Sequence, residues 1–155
     1  MKRQSKIGSI VLLFALILSL FPAPAAFAVS DADVETYTFT EDLGNDYSVE
    51  TTVVVHPTQV RSSSKSATAT SVFKHAEREI ATVSFSASFS YNGSTSSVTS
   101  TSYTKKTSIG WVYTRHNIST SGGRATLTAD LVSLIGTVPI SITIYCSPTG
   151  ALSTY

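Results

Sequence analysis

Residues 81–93, ATVSFSASFSYNG, alternate almost without error: Val83, Phe85, Ala87, Phe89 and Tyr91 take one parity, and Ser84, Ser86, Ser88 and Ser90 the other. A β-strand points successive side chains to opposite faces, so this segment carries one apolar face and one face of hydroxyls. Asn92-Gly93 then supplies the chemistry of a tight turn. A chain built from such pieces buries one side of each strand and needs a second sheet to bury it against.

The pattern recurs. Residues 124–131 set Ala125, Leu127, Ala129 and Leu131 against Arg124, Thr126, Thr128 and Asp130. Residues 138–146 set Ile140, Ile142, Ile144 and Cys146 against Ser141, Thr143 and Tyr145. Residues 36–40, 47–56, 67–73, 94–103 and 111–118 also read as strands, separated by Gly, Asn, Pro and Ser turns. Residues 41–46 read as a turn, and the charged link 74–79 is too short for an amphipathic helix. The expectation is an all-β domain, a single antiparallel sandwich of about seven to nine strands following a leader. Its core draws on Val83, Phe85, Phe89, Leu127, Leu131, Ile140, Ile142 and Ile144.

The leader is expected at residues 1–28. Lys2, Arg3 and Lys6 precede an uncharged, mostly apolar run over residues 7–21, and Ala26-Phe27-Ala28 forms a small-residue cleavage site. A bilayer-spanning helix needs about 20 apolar residues, and this run stops at Pro22, so release after Ala28 is expected, with no stable membrane anchor left. Of 155 residues, 127 would remain, which suits one domain. Eight basic and ten acidic residues remain among them, a net charge near −2 that leaves no basic field for nucleic acid. Seven of the ten acids fall at Asp31, Asp33, Glu35, Glu41, Asp42, Asp46 and Glu50, marking residues 29–50 as an acidic N-terminal segment ahead of a sandwich domain at 51–155. Cys146 is the one cysteine, so no intramolecular disulfide forms, a pattern that points to a Gram-positive bacterium more than to an animal.

The chemistry-bearing residues do not assemble into a motif. Ser and Thr abound, His56, His75 and His116 are the imidazoles, and Asp130 is the one acid beyond Glu79, but G-x-S-x-G is absent. Cys146 could pair with His116 as a nucleophile, yet its parity places it with the core isoleucines as an inert thiol. No two histidines stand at a ligand spacing and H-E-x-x-H is missing, so neither a metal nor another cofactor is expected. Aromatic side chains are the candidate ligand contacts. Tyr145 shares the outer face with Ser141 and Thr143; Trp111 and Tyr113 share a parity, with either the core or a ligand as their partner; Tyr103 is the fourth.

The combination of a leader, the 81–95 strand, one Trp after a Lys-containing loop, the segment GGRATLTA and a closing ITIYCSPTG resembles the small secreted β-rich, immunoglobulin-like sandwich proteins of Gram-positive bacteria. The resemblance covers roughly residues 67–150 and implies an extracellular all-β domain, with no activity or catalytic residue to carry over. The functional expectation is a secreted, non-catalytic protein that binds, or serves as a structural part of, the cell wall or extracellular medium, with a cell-wall glycan or an extracellular protein as partner. A membrane-active, bacteriocin-like toxin and an extracellular hydrolase are the rivals. The toxin reading rests on the hydroxyl-rich hairpin 81–103, a strand pair of the kind that lines membrane barrels.

Overall fold

The computed structural model describes residues 34–56 and 63–155. Within them nine strands follow one another: β1 (Glu35–Gly44), β2 (Tyr47–His56), β3 (Ser64–His75), β4 (Arg78–Tyr91), β5 (Ser96–Thr107), β6 (Val112–Ser121), β7 (Arg124–Ser133), β8 (Gly136–Cys146) and β9 (Leu152–Thr154). They form two antiparallel sheets in sequential order, β1-β2-β3-β4-β5 and β6-β7-β8-β9. Each sheet is a meander, and the chain passes between them once, from β5 to β6. The all-β, two-sheet expectation is met. The wiring differs from the immunoglobulin arrangement, in which strands paired within one sheet come from separated parts of the chain. The expected leader and the start of the acidic segment lie outside the described residues. From Glu35 onward that segment supplies β1 and the first part of β2, so the boundary expected at residue 50 falls inside a strand.

Alternation decides what is buried. β4 turns Val83, Phe85, Ala87 and Phe89 inward, β3 adds Ala67, Ala69 and Phe73, and β2 adds Val49, Val53 and Val55. The second sheet answers with Ala125, Leu127, Ala129 and Leu131 from β7 and with Val138, Ile140, Ile142, Ile144 and Cys146 from β8. These side chains make one continuous core. β3 and β4 lie over β8 and β7, and β5 lies over β7 and β6. All eight core residues expected from the sequence are buried.

The serine face of β4 has its own role. Thr68 on β3 pairs with Ser86 through their hydroxyls at 2.8 Å, Thr70 with Ser84 at 2.9 Å, and Ser90 with Ser97 of β5 at 2.8 Å. Cross-strand hydroxyl pairs of this kind each contribute a few tenths of a kcal/mol, roughly, and hold register on the half-buried outer face. The clean alternation of residues 81–91 therefore builds a central strand that is satisfied on both sides.

The two ends of the sheets differ. At one end the turns before β5, before β7 and before β9 interlock: Gly93 donates its N–H to the Pro148 carbonyl at 2.9 Å, and Val98 donates to Gly122 at 3.0 Å. The Ser96 hydroxyl adds a 2.6 Å bond to the Cys146 carbonyl. At the other end lie the turns after β1, β3, β5 and β7, tied by Ala76 N–H to Asp46 C=O and by Ser108 N–H to Ile80 C=O, both at 2.9 Å. The turn after β3 uses Ala76 and Glu77 at φ 47° and 64°, left-handed values carried by non-glycine residues.

Candidate functional site

The four candidate aromatic residues fall in three places. Trp111 precedes β6 and donates its backbone N–H to the Ser108 carbonyl at 3.1 Å, which closes the turn and removes it from strand parity. It does not stand beside Tyr113, as two residues of one strand face would. Its ring meets Tyr47 edge-on at 6.0 Å, and Tyr47 packs against His75 at 4.5 Å.

Tyr113 faces inward from β6 and is 7% exposed. Its ring lies 6.1 Å from Tyr103 of β5, and the Lys105 ammonium stands 4.4 Å above it. Arg115, at φ 52°, lies where the β6–β7 register slips, and His116 beside it packs on both tyrosines, at 5.2 Å from Tyr103 and 6.1 Å from Tyr113. This cluster seals the seam where the chain crosses between sheets. The Tyr113 hydroxyl is buried without a hydrogen-bond partner among the described residues. Burial, aided by the neighbouring Tyr103, pushes its pKa from 10.0 to about 12.

That shift has a sign. Below pH 10 the phenol is neutral in both folded and unfolded chains; between 10 and 12 the unfolded chain ionises first, so stability falls as pH rises through that window. Two units set an upper bound of about 2–3 kcal/mol, of which at most about half is lost by pH 11. Tyr113→Phe is expected to abolish this alkaline loss and, by removing an orphaned hydroxyl, to gain about 1 kcal/mol at pH 7. Urea unfolding of both proteins at pH 7 and pH 11 measures each effect.

Tyr145 occupies the outer face of β8, half-buried. The Arg124 guanidinium lies 5.9 Å from its ring and 5.2 Å from that of Tyr155, so the cation bridges two aromatic rings. Cys146 is fully buried, its thiol 3.5 Å from the Ser147 carbonyl, and burial raises its pKa against a smaller opposing effect of Lys65. A thiol held protonated and out of solvent is a poor nucleophile. Among the described residues no group of three or more His, Cys, Asp or Glu side chains could hold a metal ion.

A different place is concave. The first sheet has five strands and the second four, and β9 is only three residues long. β1 therefore overhangs the second sheet: it pairs with β2 and touches β9 where the Tyr37 hydroxyl lies 3.4 Å from Thr154 Oγ1. Beyond that contact the inward parity of β1 presents Phe39, Glu41 and Leu43 over a cleft of about 180 Å³, closed below by Pro139, Ser141 and Ile142 of β8 and by Tyr155. Phe73 lines its back wall. There Thr51 and Ser71, both buried, satisfy each other through a 2.9 Å hydroxyl bond, which leaves the wall chemically quiet. Phe39 and Leu43 remain 37% and 39% exposed because no strand of the described residues packs directly against them.

None of the four aromatic candidates lines this cleft. Phe39 and Leu43 belong to a stretch whose acidic composition drew attention to its charges, and the one available signal was the inward parity of Tyr37 and Phe39. No protein family, curated protein or solved structure matches the chain.

Proposed function

We propose that this chain is a secreted, non-catalytic binding protein of the cell wall or extracellular medium, and that the cleft beneath β1 is where it binds. The observation that carries the reading is the inner face of β1, which no described residue fully covers and which holds an aromatic ring, a leucine and a carboxylate over a concave, mostly apolar surface. The leader pattern of residues 1–28 supports export, and the near-neutral charge of the remainder supports a partner other than nucleic acid. Co-sedimentation of the purified protein with isolated bacterial cell walls tests it. Saturable pelleting is expected, weakened at least tenfold by Phe39→Ala and unchanged by Tyr145→Ala. Pelleting lost with Tyr145→Ala alone would move the site to the outer face of β8.

A second reading, a membrane-active protein, draws on the end of the sheets that carries the turns after β5 and β7. Ile109 and Leu134 are as exposed there as in an extended chain, at 104% and 106%, and Ile135 is 65% exposed. Leakage of dye-loaded vesicles separates this reading from the first.

A further inference from the structure

The cleft has a backbone chemistry that the side chains alone do not reveal. β8 pairs with β7 along its whole length, from Gly136 opposite Ser133 to Tyr145 opposite Arg124. On its other side, among the described residues, it pairs with β9 only over Ile144–Cys146, extended by the two bonds between Thr143 and Tyr155 at 2.9 and 3.2 Å. In an antiparallel ladder alternate residues aim both backbone groups at the same neighbour. Since Thr143 aims its N–H and C=O at Tyr155, the same period aims those of Ser141 and Thr137, and the C=O of Pro139, into the cleft. Ile142 and Ile140 aim theirs at β7. Pro139 fits this geometry, because a proline is tolerated within a strand where its missing N–H faces an open edge.

Resting on the reading that the cleft is the binding site, we propose that it accepts a β-strand: an extended segment of a partner polypeptide adds to the second sheet beside residues 137–142, in line with β9 and beneath β1. The fit is specific in three ways. The open edge offers two N–H and three C=O groups in register with the end of β9. A strand laid there sends alternate side chains inward onto Phe39, Leu43, Phe73 and Ile142, and the others to solvent. A cleft of about 180 Å³ is below the roughly 300–1,000 Å³ that enclose a compact small ligand, but it suits a few alternate side chains of a strand. Glu41 makes no ion pair among the described residues and stands on an acidic strand with Glu35 and Asp42, so the incoming segment carries a Lys or Arg facing β1.

The probe is a hexapeptide of alternating valine and threonine with one lysine, used free and as a tail appended after Tyr155, where tethering removes the demand on affinity. The tail is expected to raise Tm by about 5 °C or more and to slow amide exchange at Thr137 and Ser141 by about 100-fold. The free peptide is expected to slow the same two amides, and its twin N-methylated on alternate residues to leave them unchanged. Ser141→Pro removes an N–H that the β7 ladder does not use, so it is expected to keep the parent Tm while abolishing the response to the free peptide. A tail that changes neither Tm nor exchange overturns the proposal. Wall pelleting weakened by Phe39→Ala but indifferent to the tail and to Ser141→Pro overturns strand addition while the cleft reading stands; pelleting indifferent to Phe39→Ala removes the cleft reading itself. A dimer that the tail dissociates would make the occupant a second copy and overturn the assignment to another chain.

Discussion

Phe85→Ala is expected to lower the unfolding free energy by about 3–5 kcal/mol, a large share of the stability of a domain this size. Phe85 is fully buried near the middle of β4, in register with Ala69 of β3 and Tyr103 of β5, and no disulfide backs up the core it fills. The small residues beside it, Ala69 opposite on β3 and Ala87 two positions on in β4, have no longer side chains to move into the space a truncation leaves. β4 itself is paired on both sides, so the cavity persists and its cost adds to the lost transfer energy. Equilibrium urea unfolding measures it, with Phe39→Ala as the matched control. Phe39 is 37% exposed on the overhanging strand, and its loss is expected to cost about 1 kcal/mol or less because little apolar area returns to water. Equal losses at the two positions would show that the second sheet does not cover β4 as described.

Gly123→Ala is expected to cost about 3 kcal/mol, from a position that carries no side chain at all. Gly122 and Gly123 form the turn between β6 and β7, but they are glycine for different reasons. Gly122 has φ 54°, a left-handed value, and a Cβ there would meet only the Ser96 carbonyl, at an ordinary contact distance of 3.8 Å. A Cβ on Gly123 would run into the Ser96 side chain and the Cys146 carbonyl. Those two groups are joined by the 2.6 Å bond that ties β5 to β8, and the Gly123 carbonyl accepts from the Cys146 N–H at 2.8 Å. The added methyl group therefore pushes apart the interlocked end of the sheets. Gly122→Ala, with strain but no collision, is expected to cost about 1 kcal/mol. Thermal unfolding of the pair distinguishes crowding from backbone strain, and the ordering would reverse if the turn were free of β5.

The parts of the fold legible in the sequence are those fixed by local alternation. Val83, Phe85 and Phe89 against the intervening serines, and Ile140, Ile142 and Ile144 against Ser141 and Thr143, announce their buried face with no knowledge of the partner strand. Less legible was anything decided by the count of strands or by a turn. β9 is too short to show a period, and residues 41–44 extend β1 although Gly44 and Asn45 read as turn residues from further upstream. Trp111 shares parity with Tyr113 on paper, but the backbone bond to Ser108 takes it out of the strand. The cleft is a difference between two sheets, five strands over three and a fraction, and no single segment encodes it. Besides the inward parity of Tyr37 and Phe39, its visible trace is Pro139, an interior strand residue whose missing N–H fits an open edge.

Backbone amide exchange of the purified protein, with no partner added, tests the open edge of β8 most directly. If residues 137–142 are paired on one side only, Ile140 and Ile142 exchange slowly, close to the rate set by global unfolding, while Thr137 and Ser141 exchange much faster despite belonging to the same strand. That two-residue alternation in protection is the result this structure predicts. Uniform protection from Thr137 to Ile142 would contradict it, because the edge that forms the floor of the cleft would already be occupied.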